Sequence, residues 1–385
     1  MNFDGVLNSR YTLVLLIVLF VSFVALCLYY GFVWLRVARY RNDKLPKPDE
    51  VGGTDRPSVS VVIVSHNEAE SLKKSLPYLL EQDYPDFEVV VVDYMSTDDT
   101  PFVLRVCSEN YPNLKVVNFK ADVNMFRGKK YPLSIGIKSA VGDVILLTEP
   151  DCRPGGFDWI GEMVCGYMRG ASMVLGYSLT EGGKGLLGAL ESYENLTYTA
   201  SYMGAALMGN PYTATGRDLS YRRDFFFARG GFISHYSFPD GADDLFVNRN
   251  ATRSNTVALL RKGAGVACES SRTFGEWHLK RLHRRSSRRL YGLKDKLMLA
   301  VYPLSQLLFI VSLVLLFVGG IFPWQILAAV IAVKFLWQIV CSFFLDKRFE
   351  VKMLHFFAPF FEFYFLIADT FLSLSALRKK NVQWR

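Results

Sequence analysis

The sequence predicts an α/β domain with a parallel sheet, joined to α-helical transmembrane segments at both ends of the chain. Hydrophobic residues make up 51% of the 385 residues and charged residues only 21%, and the mean hydropathy is +0.17. These values exclude a disordered chain, which needs low hydrophobicity and high charge. The longest apolar runs lie near the two ends, whereas the middle alternates strand-like with helix-like runs. That alternation is typical of a parallel sheet with helices on both faces.

The first apolar run covers residues 11–35 and contains no charged residue. A helix needs about 20 apolar residues to cross a bilayer core, and a signal peptide has a shorter apolar stretch of about 7–15 residues. Aromatic residues end the run, and five basic residues follow it: Arg36, Arg39, Arg41, Lys44 and Lys47. Residues 1–44 are therefore predicted to form a transmembrane anchor, with the amino terminus outside and the basic flank in the cytoplasm.

The C-terminal region, residues 297–385, is predicted to hold two to three membrane helices, at about 298–318, 322–345 and 354–376, before a basic tail. If all of these and the anchor cross the membrane, the tail faces outward, against the positive-inside bias. Whether every segment spans therefore stays open. Lys334, Glu362 and Asp369 lie at bilayer depth, where charges are costly and tend to pair. We predict that Lys334 pairs with Glu362 or Asp369; the alternative is that these groups face a water-filled groove.

Six cysteines occur in the chain without a CxxC pair. They are too sparse for a disulfide scaffold, and their spacing argues against a zinc ribbon or a thioredoxin motif. Two of them, Cys27 and Cys341, lie in apolar runs. We therefore expect the chain to fold in a reduced compartment.

The middle of the chain, residues 45–274, is predicted to be a cytoplasmic domain built on four strands, at 59–64, 87–93, 114–119 and 143–148. The intervening helices are predicted at 68–82, 100–110 and 129–140. Ligands of such sheets bind at the carboxyl ends of the strands. The polar residues that follow the strands are the candidates: Ser65, His66, Asn67, Glu68, Asp93, Glu149 and Asp151.

Two interpretations of these acidic strand ends stay open. Short polar side chains also cap helices, and an acidic pair after a strand is commonly a solvated turn. Carboxylates spaced by one residue, such as Glu149 and Asp151, can instead hold a hard divalent cation that also contacts phosphate oxygens. Three acidic strand ends on one sheet edge favour the second interpretation.

In order and spacing, these segments resemble the membrane-anchored, inverting family 2 glycosyltransferases. The similarity is nearest to glycolipid or ceramide-glucosyltransferase-like and polysaccharide-synthase-like members. It covers about 59–296 and rests on residues 59–68, 89–100, 127–129, 149–151, 216–223 and 243–245. The resemblance implies a GT-A fold, a Rossmann-like domain for nucleotide-diphospho-sugars. The sequence departs from the family pattern at Tyr94 and Glu149, where Asp is usual, at Arg217-Asp218 in place of an Asn, and at Arg285, where a Trp is usual.

The resemblance also implies roles for individual residues. Donor or nucleotide contacts fall on Ser65, Asn67, Glu68, Asp93, Lys129, Glu149, Arg281 and Arg284. Asp151 and Glu149 would hold Mg²⁺ or Mn²⁺, which stabilises the diphosphate leaving group. Asp244 would be the general base that takes the proton of the acceptor hydroxyl. Asp243 is the alternative base, because the register of that motif is uncertain by one residue.

Residues 275–296 are predicted to form a basic amphipathic helix at the membrane interface. Much of the net charge of +8 lies here, on Lys280, Arg281, Arg284, Arg285, Arg288 and Arg289. A basic helix before a membrane segment is typical of binding to anionic headgroups. Arg281 or Arg284 could also contact the diphosphate, because a guanidinium suits phosphate. Nucleic-acid binding is not expected, since no recognisable motif accompanies the basic residues.

The expected reaction is transfer of a sugar with inversion at the anomeric carbon. The resemblance to the family implies a UDP-sugar as the donor. The expected acceptor is a lipid or lipid-linked glycan at the cytoplasmic face of a plasma membrane such as the bacterial inner membrane. The alternative within the class is a processive polysaccharide synthase, which Arg285 in place of the family's Trp disfavours. Alternatives from other classes are a nucleotidyltransferase, which the Asp243-Asp244 pair disfavours, and a non-catalytic membrane scaffold.

Overall fold

The computed structural model describes residues 3–50, 56–119, 128–320, 322–351 and 354–378. They divide into a helical unit, made of residues up to Arg39 and of Tyr291–Ser375, and an α/β unit from Tyr40 to Leu290. The described strands are β1 (Val59–Ser65), β2 (Phe87–Tyr94), β3 (Leu114–Phe119), β4 (Val144–Leu147), β5 (Cys152–Pro154), β6 (Met173–Leu175), β7 (Tyr177–Glu181), β8 (Leu219–Arg222), β9 (Thr256–Ala258) and β10 (Gly265–Glu269). The described helices are α1 (Phe3–Tyr29), α2 (Leu35–Arg39), α3 (Ala69–Leu80), α4 (Thr100–Asn110), α5 (Lys130–Ser139), α6 (Trp159–Cys165), α7 (Gly185–Leu207), α8 (Arg223–Ala228), α9 (Asp243–Asn250), α10 (Phe274–Ser286), α11 (Leu293–Val318), α12 (Trp324–Phe349) and α13 (Leu354–Arg378).

A seven-stranded sheet in the order β3-β2-β1-β4-β8-β6-β9 forms the centre of the α/β unit. β1 pairs in parallel with β2 and β4, and β2 pairs in parallel with β3. All seven residues of β1 are buried and five of them are Val or Ile, as expected for a strand covered on both faces. The four predicted strands and the three helices between them are confirmed. The sequence did not predict β8, which runs antiparallel to β4 and β6.

Helix α5 packs unusually close to the sheet. A Cβ added at Gly136 would lie 2.7 Å from Cγ1 of Val62 and 2.9 Å from Cγ2 of Val92, so only glycine fits at this crossing. Because a crossover helix runs back against its parallel strands, the first turn of α5 lies at their carboxyl ends. Lys129 and Lys130 are thereby brought to the edge where ligands bind.

A smaller sheet has the strand order β5-β10-β7. Its first strand, β5, follows β4 in the chain. β5 and β10 are antiparallel, with Cys152 directly opposite Cys268. These two cysteines form a disulfide with a Cα–Cα distance of 4.1 Å across 116 residues of sequence. The expectation of uniformly reduced cysteines is therefore wrong for this pair. No spacing pattern indicated it, because the pairing follows from strand register.

Among the described residues of the helical unit, three segments are long and apolar enough to cross a membrane: Arg10–Arg39, Leu293–Val318 and Trp324–Phe349. The first continues from α1 through a π-helical turn at Tyr30–Trp34 into α2. The fourth predicted segment forms α13, which is not among the three. Whether α13 spans stays a prediction, and the tail beyond Arg378 lies outside the described residues.

The carboxylate of Glu362 joins several elements of the helical unit. It pairs with the Lys334 ammonium and accepts hydrogen bonds from the Tyr30 hydroxyl and the Gln306 amide. The Tyr302 hydroxyl donates a further bond at 2.7 Å. Lys334 and Glu362 are 5% and 6% exposed. The predicted pairing of Lys334 is therefore confirmed, with Glu362 as its partner.

Candidate active site

The loops after β1 and β2 are joined by a hydrogen-bonded asparagine. Asn67 has a positive φ of 56°, and its Oδ1 accepts a hydrogen bond from the backbone N–H of Thr97 at 2.7 Å. His66 Nδ1 lies 2.7 Å from the carbonyl oxygen of Tyr94, so this histidine has a structural contact. The two strand ends thus form one rim of the sheet edge, as expected from the parallel order.

Other predicted nucleotide contacts lie along the same rim. Asp93 is buried at the end of β2, and its Oδ1 accepts from the backbone N–H of Ser96 at 3.4 Å. The Ser65 hydroxyl is buried and has no hydrogen-bond partner among the described residues. Tyr94, which replaces the family's second Asp, is buried and packs on Phe119 with ring centroids 5.7 Å apart. That departure therefore places an aromatic contact where the family pattern has a carboxylate.

Glu68 faces the acidic groups that follow β4. Its Oε2 accepts a hydrogen bond from the Ser71 hydroxyl at 2.8 Å. Burial raises the pKa of Glu68, the Ser71 hydrogen bond opposes the rise, and the charges of Asp151 and Glu149 add to it. β1 and β4 are neighbouring parallel strands, so their carboxyl ends lie side by side at one edge of the sheet.

Three cations surround the Glu149 and Asp151 carboxylates. Glu149 Oε1 is 3.0 Å from Lys129 Nζ, and its Oε2 is 3.3 Å from Arg217 Nε. Asp151 Oδ2 is 3.3 Å from Arg217 Nη2 and 3.8 Å from Lys280 Nζ. Burial by itself would raise the pKa of Glu149, but the charges of Lys129 and Arg217 hold it well below its usual range. Burial raises the pKa of Asp151 despite the nearby Arg217.

The acidic pair opens α9, where Asp243 and Asp244 lie in the first turn. Asp243 Oδ1 is buried and has no hydrogen-bond partner in the part of the chain that the structure describes. Burial raises the pKa of Asp243 to about 6; the Lys129 charge opposes the rise and the Glu149 charge adds to it. Asp244 Oδ2 accepts a hydrogen bond from the Ser287 hydroxyl.

The segment before β8 links the acidic pair to the carboxylates after β4. A Cβ added at Gly216 would lie 1.8 Å from Asp243 Oδ2, so the backbone meets this carboxylate directly. The next residue, Arg217, binds Glu149 and Asp151. Asp218 is 0% exposed and accepts from Trp159 Nε1 at 3.2 Å. Gly216 and Arg217, which are consecutive, therefore connect the Asp243 carboxylate with the carboxylates of Glu149 and Asp151.

Lys130 is a buried cation on the other side of the acidic pair. Its Nζ donates to the carbonyl oxygens of Phe238 and Asp240 at 2.5 Å each. Burial lowers the pKa of Lys130 to about 8, and the charges of Asp244 and Asp240 oppose the decrease. The lysine fixes the loop that leads into α9.

Helix α10 forms ion pairs within the α/β unit through Lys280, Arg281 and Arg284. Arg281 is 2% exposed, binds Glu194 Oε1 through Nε at 3.0 Å and lies 4.8 Å above the Trp277 ring. The expectation of an exposed basic face is therefore wrong for Arg281, because Glu194 gives it a buried partner. Arg284 lies 4.6 Å from the Tyr198 ring centroid and keeps a partly exposed side chain.

The donor set after β4 fits a divalent cation. Glu149 and Asp151 supply carboxylate oxygens, the ligands that Mg²⁺ and Mn²⁺ prefer, and one guanidinium already binds both of them. Asp151 also lies in a group with Cys152 and Cys268 whose ligand atoms are within 4.8 Å of one another. Those two sulfurs are bonded to each other, so this second group offers no thiolate for a metal.

Sequence reasoning missed several residues of the site. Arg217 was noted only as a departure from a motif, and Lys130 and Ser287 were not singled out. A basic residue beside a motif glycine was the available signal for Arg217. For Ser287, which directly follows the end of α10, no local pattern exists. Arg127, part of the predicted 127–129 segment, lies outside the described residues.

Several glycosyltransferases are similar to this chain. AglE of Haloferax volcanii is 33% identical over 100 residues, 26% of this chain and 32% of that protein. A beta-monoglucosyldiacylglycerol synthase of Synechocystis is 33% identical over 99 residues, 25% of this chain and 20% of that protein. The alignments thus span a third or less of the length of these curated relatives.

A solved structure matches almost the whole chain. The mannosyltransferase PcManGT of Pyrobaculum calidifontis, in complex with GDP-Man and Mn²⁺, superposes with a TM-score of 0.62 at 21% identity, covering 96% of this chain and 99% of that one. At this identity the likeness shows the fold, which is GT-A. Residues 60–226 also match the model of the family described as Glycosyl transferase family 2. Over residues 60–226 the chain is therefore similar to the family 2 glycosyltransferases, and its fold is GT-A.

Proposed function

We propose that this protein transfers a sugar from a nucleotide-sugar donor to a lipid or lipid-linked acceptor, with inversion at the anomeric carbon. The observation that carries the proposal is the contact made by Gly216 and Arg217. One packs against Asp243, and the other binds Glu149 and Asp151. A candidate base and a candidate leaving-group site are thus joined by two consecutive residues.

The carboxylates after β4 form the donor end of the proposed site. Glu149 and Asp151 would hold Mg²⁺ or Mn²⁺, which supplies charge stabilisation for the nucleoside diphosphate as it leaves. Lys129 Nζ lies 3.0 Å from Glu149 Oε1 and adds a positive charge beside the proposed diphosphate position. Asp93 and Asn67, on the rim formed by β1 and β2, would contact the nucleoside.

Asp244 is the proposed general base. Its carboxylate accepts the Ser287 hydroxyl, which holds it in one orientation at the first turn of α9. It would take the proton of the acceptor hydroxyl as the oxygen attacks the anomeric carbon, while the diphosphate departs from the opposite face. Asp243 is the second candidate, favoured by its raised pKa and by its Oδ1, which has no hydrogen-bond partner among the described residues.

The membrane context supports a lipid acceptor and a cytoplasmic α/β unit. Three segments are apolar enough to span, and the relatives include an enzyme named for a glucosyldiacylglycerol product. The basic residues that follow the first segment favour a cytoplasmic position for what comes next in the chain. Cys152 and Cys268 are both 0% exposed, so a cytoplasmic thiolate has no access to the disulfide sulfurs.

A donor panel tests the proposal. Purified full-length protein in lipid nanodiscs, with Mn²⁺ or Mg²⁺ and membrane lipid extract, is given UDP- and GDP-sugars, and release of nucleoside diphosphate is measured. We expect turnover with one donor. Asp244→Asn should lower the rate by about 10²–10⁴-fold, the usual contribution of a general base. The anomeric coupling constant of the product reports inversion.

The matched control is Asp224→Asn, which changes an exposed aspartate in the first turn of α8. This variant should keep the wild-type rate. A loss confined to Asp243→Asn would reassign the base to that residue. Absence of turnover with every donor and the lipid extract would favour the scaffold alternative. Products longer than one added sugar would instead favour the processive alternative.

A further inference from the structure

Arg217 is the single residue that contacts both carboxylates of the Glu149-Pro150-Asp151 segment in the described site. Its Nε donates to Glu149 at 3.3 Å and its Nη2 to Asp151 at 3.3 Å. The Arg217 side chain is 14% exposed, against 32% for Glu149 and 17% for Asp151, so the guanidinium is the least solvated of the three groups. The guanidinium therefore lies where a cation shared by the two carboxylates would lie.

The backbone of Arg217 is fixed although its side chain is long. Gly216 lies against the Asp243 carboxylate. On the other side, Asp218 accepts hydrogen bonds from Trp159 Nε1 at 3.2 Å and from the Tyr177 backbone N–H at 2.8 Å. A guanidinium on a fixed pivot can change partners by side-chain rotation alone, without movement of β8.

A guanidinium and a divalent cation cannot both occupy the space between two carboxylates, because they repel each other. A neighbouring charge changes the proton affinity of a carboxylate by about 10- to 1,000-fold, and a metal ion that competes for the same oxygens meets the same repulsion. The planar fork of arginine also binds phosphate oxygens in two places at once.

We propose that Arg217 is the internal counter-ion of Glu149 and Asp151 in the donor-free protein, and that its guanidinium moves to the diphosphate when donor and metal bind. The inference rests on the proposed function, since it assumes a nucleoside diphosphate as ligand. Lys129 and Lys280 keep their positions beside Glu149 and Asp151, so the acidic segment stays partly neutralised after the exchange. Arg217 thus makes metal binding depend on the presence of the donor.

Manganese binding without nucleotide tests the proposal that Arg217 is the counter-ion of Glu149 and Asp151. Full-length wild type, Arg217→Gln and Arg217→Lys are titrated with Mn²⁺, and the free ion is measured by electron paramagnetic resonance. We expect Arg217→Gln to bind Mn²⁺ about 10-fold or more tightly than wild type. Arg217→Lys keeps the charge but loses the fork, so its affinity should lie between the two. It also supplies the comparison if Arg217→Gln does not fold.

Arg153→Gln is the matched control. Arg153 pairs with Glu181 at 2.9 Å on a more exposed surface, and its loss should leave the affinity for Mn²⁺ unchanged. Equal or weaker Mn²⁺ binding by Arg217→Gln would overturn the counter-ion role. Because this titration contains no sugar, it reports on Arg217 whether or not transfer is detected.

Binding of UDP and GDP at saturating Mn²⁺ tests the proposal that the Arg217 guanidinium moves to the diphosphate. We expect Arg217→Gln to lose about 10-fold in affinity for whichever diphosphate the wild type binds. Unchanged diphosphate binding would overturn the movement of the guanidinium to the ligand. Absence of sugar transfer by the wild type, with both binding results as expected, would instead refute the proposed reaction and leave the exchange standing.

Discussion

Glu362 in the helical unit and Asp243 in the α/β unit are both carboxylates in low-dielectric surroundings, but their partners differ. Glu362 has a cation, two phenol hydroxyls and an amide as partners. Asp243 keeps one buried oxygen without a hydrogen-bond partner among the described residues, and its pKa is raised to about 6. A satisfied buried charge is typical of a structural contact, whereas an unsatisfied one is typical of a functional site.

The difference extends to the groups around each carboxylate. Lys334 Nζ donates hydrogen bonds to the Glu362 carboxylate and, at 3.0 Å, to Gln338 Oε1. Around Glu149 and Asp151, one guanidinium bridges two carboxylates, and each of its bonds can be exchanged for a ligand oxygen. We infer that the helical unit uses charge to fix helices, while the α/β unit keeps charge available for a substrate.

The largest expected effect comes from breaking the buried ion pair between Lys334 and Glu362. Lys334→Met leaves the Glu362 carboxylate buried without its cation, which should lower the free energy of unfolding by about 3–5 kcal/mol. Denaturant titration in detergent, followed by circular dichroism, measures the change. Replacing both partners with Met should recover most of the loss, because no unpaired charge remains. Lys347→Met, at an exposed position in the last turn of α12, is the control and should change little.

The disulfide of the α/β unit lies next to the candidate site, because Cys152 follows Asp151 directly. Replacing Cys152 and Cys268 together with Ala removes a cross-link over 116 residues and should destabilise the unit by about 2–4 kcal/mol. Thermal unfolding measures the effect, with Cys107→Ala, a free cysteine on α4, as the control. Alkylation of all six cysteines without prior reduction would contradict the cross-link.

The part of the α/β unit up to β4 could be predicted from sequence, because each of its strands is local. A buried strand such as β1 appears as an unbroken apolar run, and parallel order follows from alternation with helices. The polar residues after β1, β2 and β4 could then be placed on one edge. The GT-A assignment required, in addition, a resemblance carried by the order of several motifs.

The later part could not be predicted, since its contacts depend on register between distant segments. β8 joins β4 in antiparallel register, and only that pairing brings Arg217 to Glu149. The partner of Arg281, Glu194, lies 87 residues earlier in the sequence, so the basic run appeared to be free for lipid. Cys152 and Cys268 face each other for the same reason, across β5 and β10.

Asp243→Asn removes the buried carboxylate of Asp243. This substitution should raise the free energy of unfolding, whereas Lys334→Met should lower it. The pKa of Asp243 rises from 3.8 to about 6 in the folded protein. Between these values the folded state holds a proton that the unfolded chain releases, so wild-type stability falls as pH rises through this window. The variant should therefore be more stable than wild type by about 3 kcal/mol at pH 8, with little difference below pH 4.

Thermal unfolding at both pH values measures this effect, and Asp224→Asn is the control for a lost exposed carboxylate. A difference of the same size at pH 4 and pH 8 would contradict a cost that comes from ionisation. A gain in stability together with a loss of transfer would show that the buried charge serves activity at the expense of stability.

The smallest expected effect is at the hydroxyl that orients Asp244. Ser287→Ala removes the hydroxyl that donates to Asp244 Oδ2, while the carboxylate itself remains. One hydrogen bond contributes about 1 kcal/mol, so the turnover rate should fall about fivefold, far less than for Asp244→Asn. Ser287→Thr keeps the hydroxyl and should restore most of the rate. If Ser287→Ala reduced the rate as much as Asp244→Asn, the hydroxyl would have to act on the acceptor itself, and the turn after α10 would contribute a reacting group rather than a support for the base.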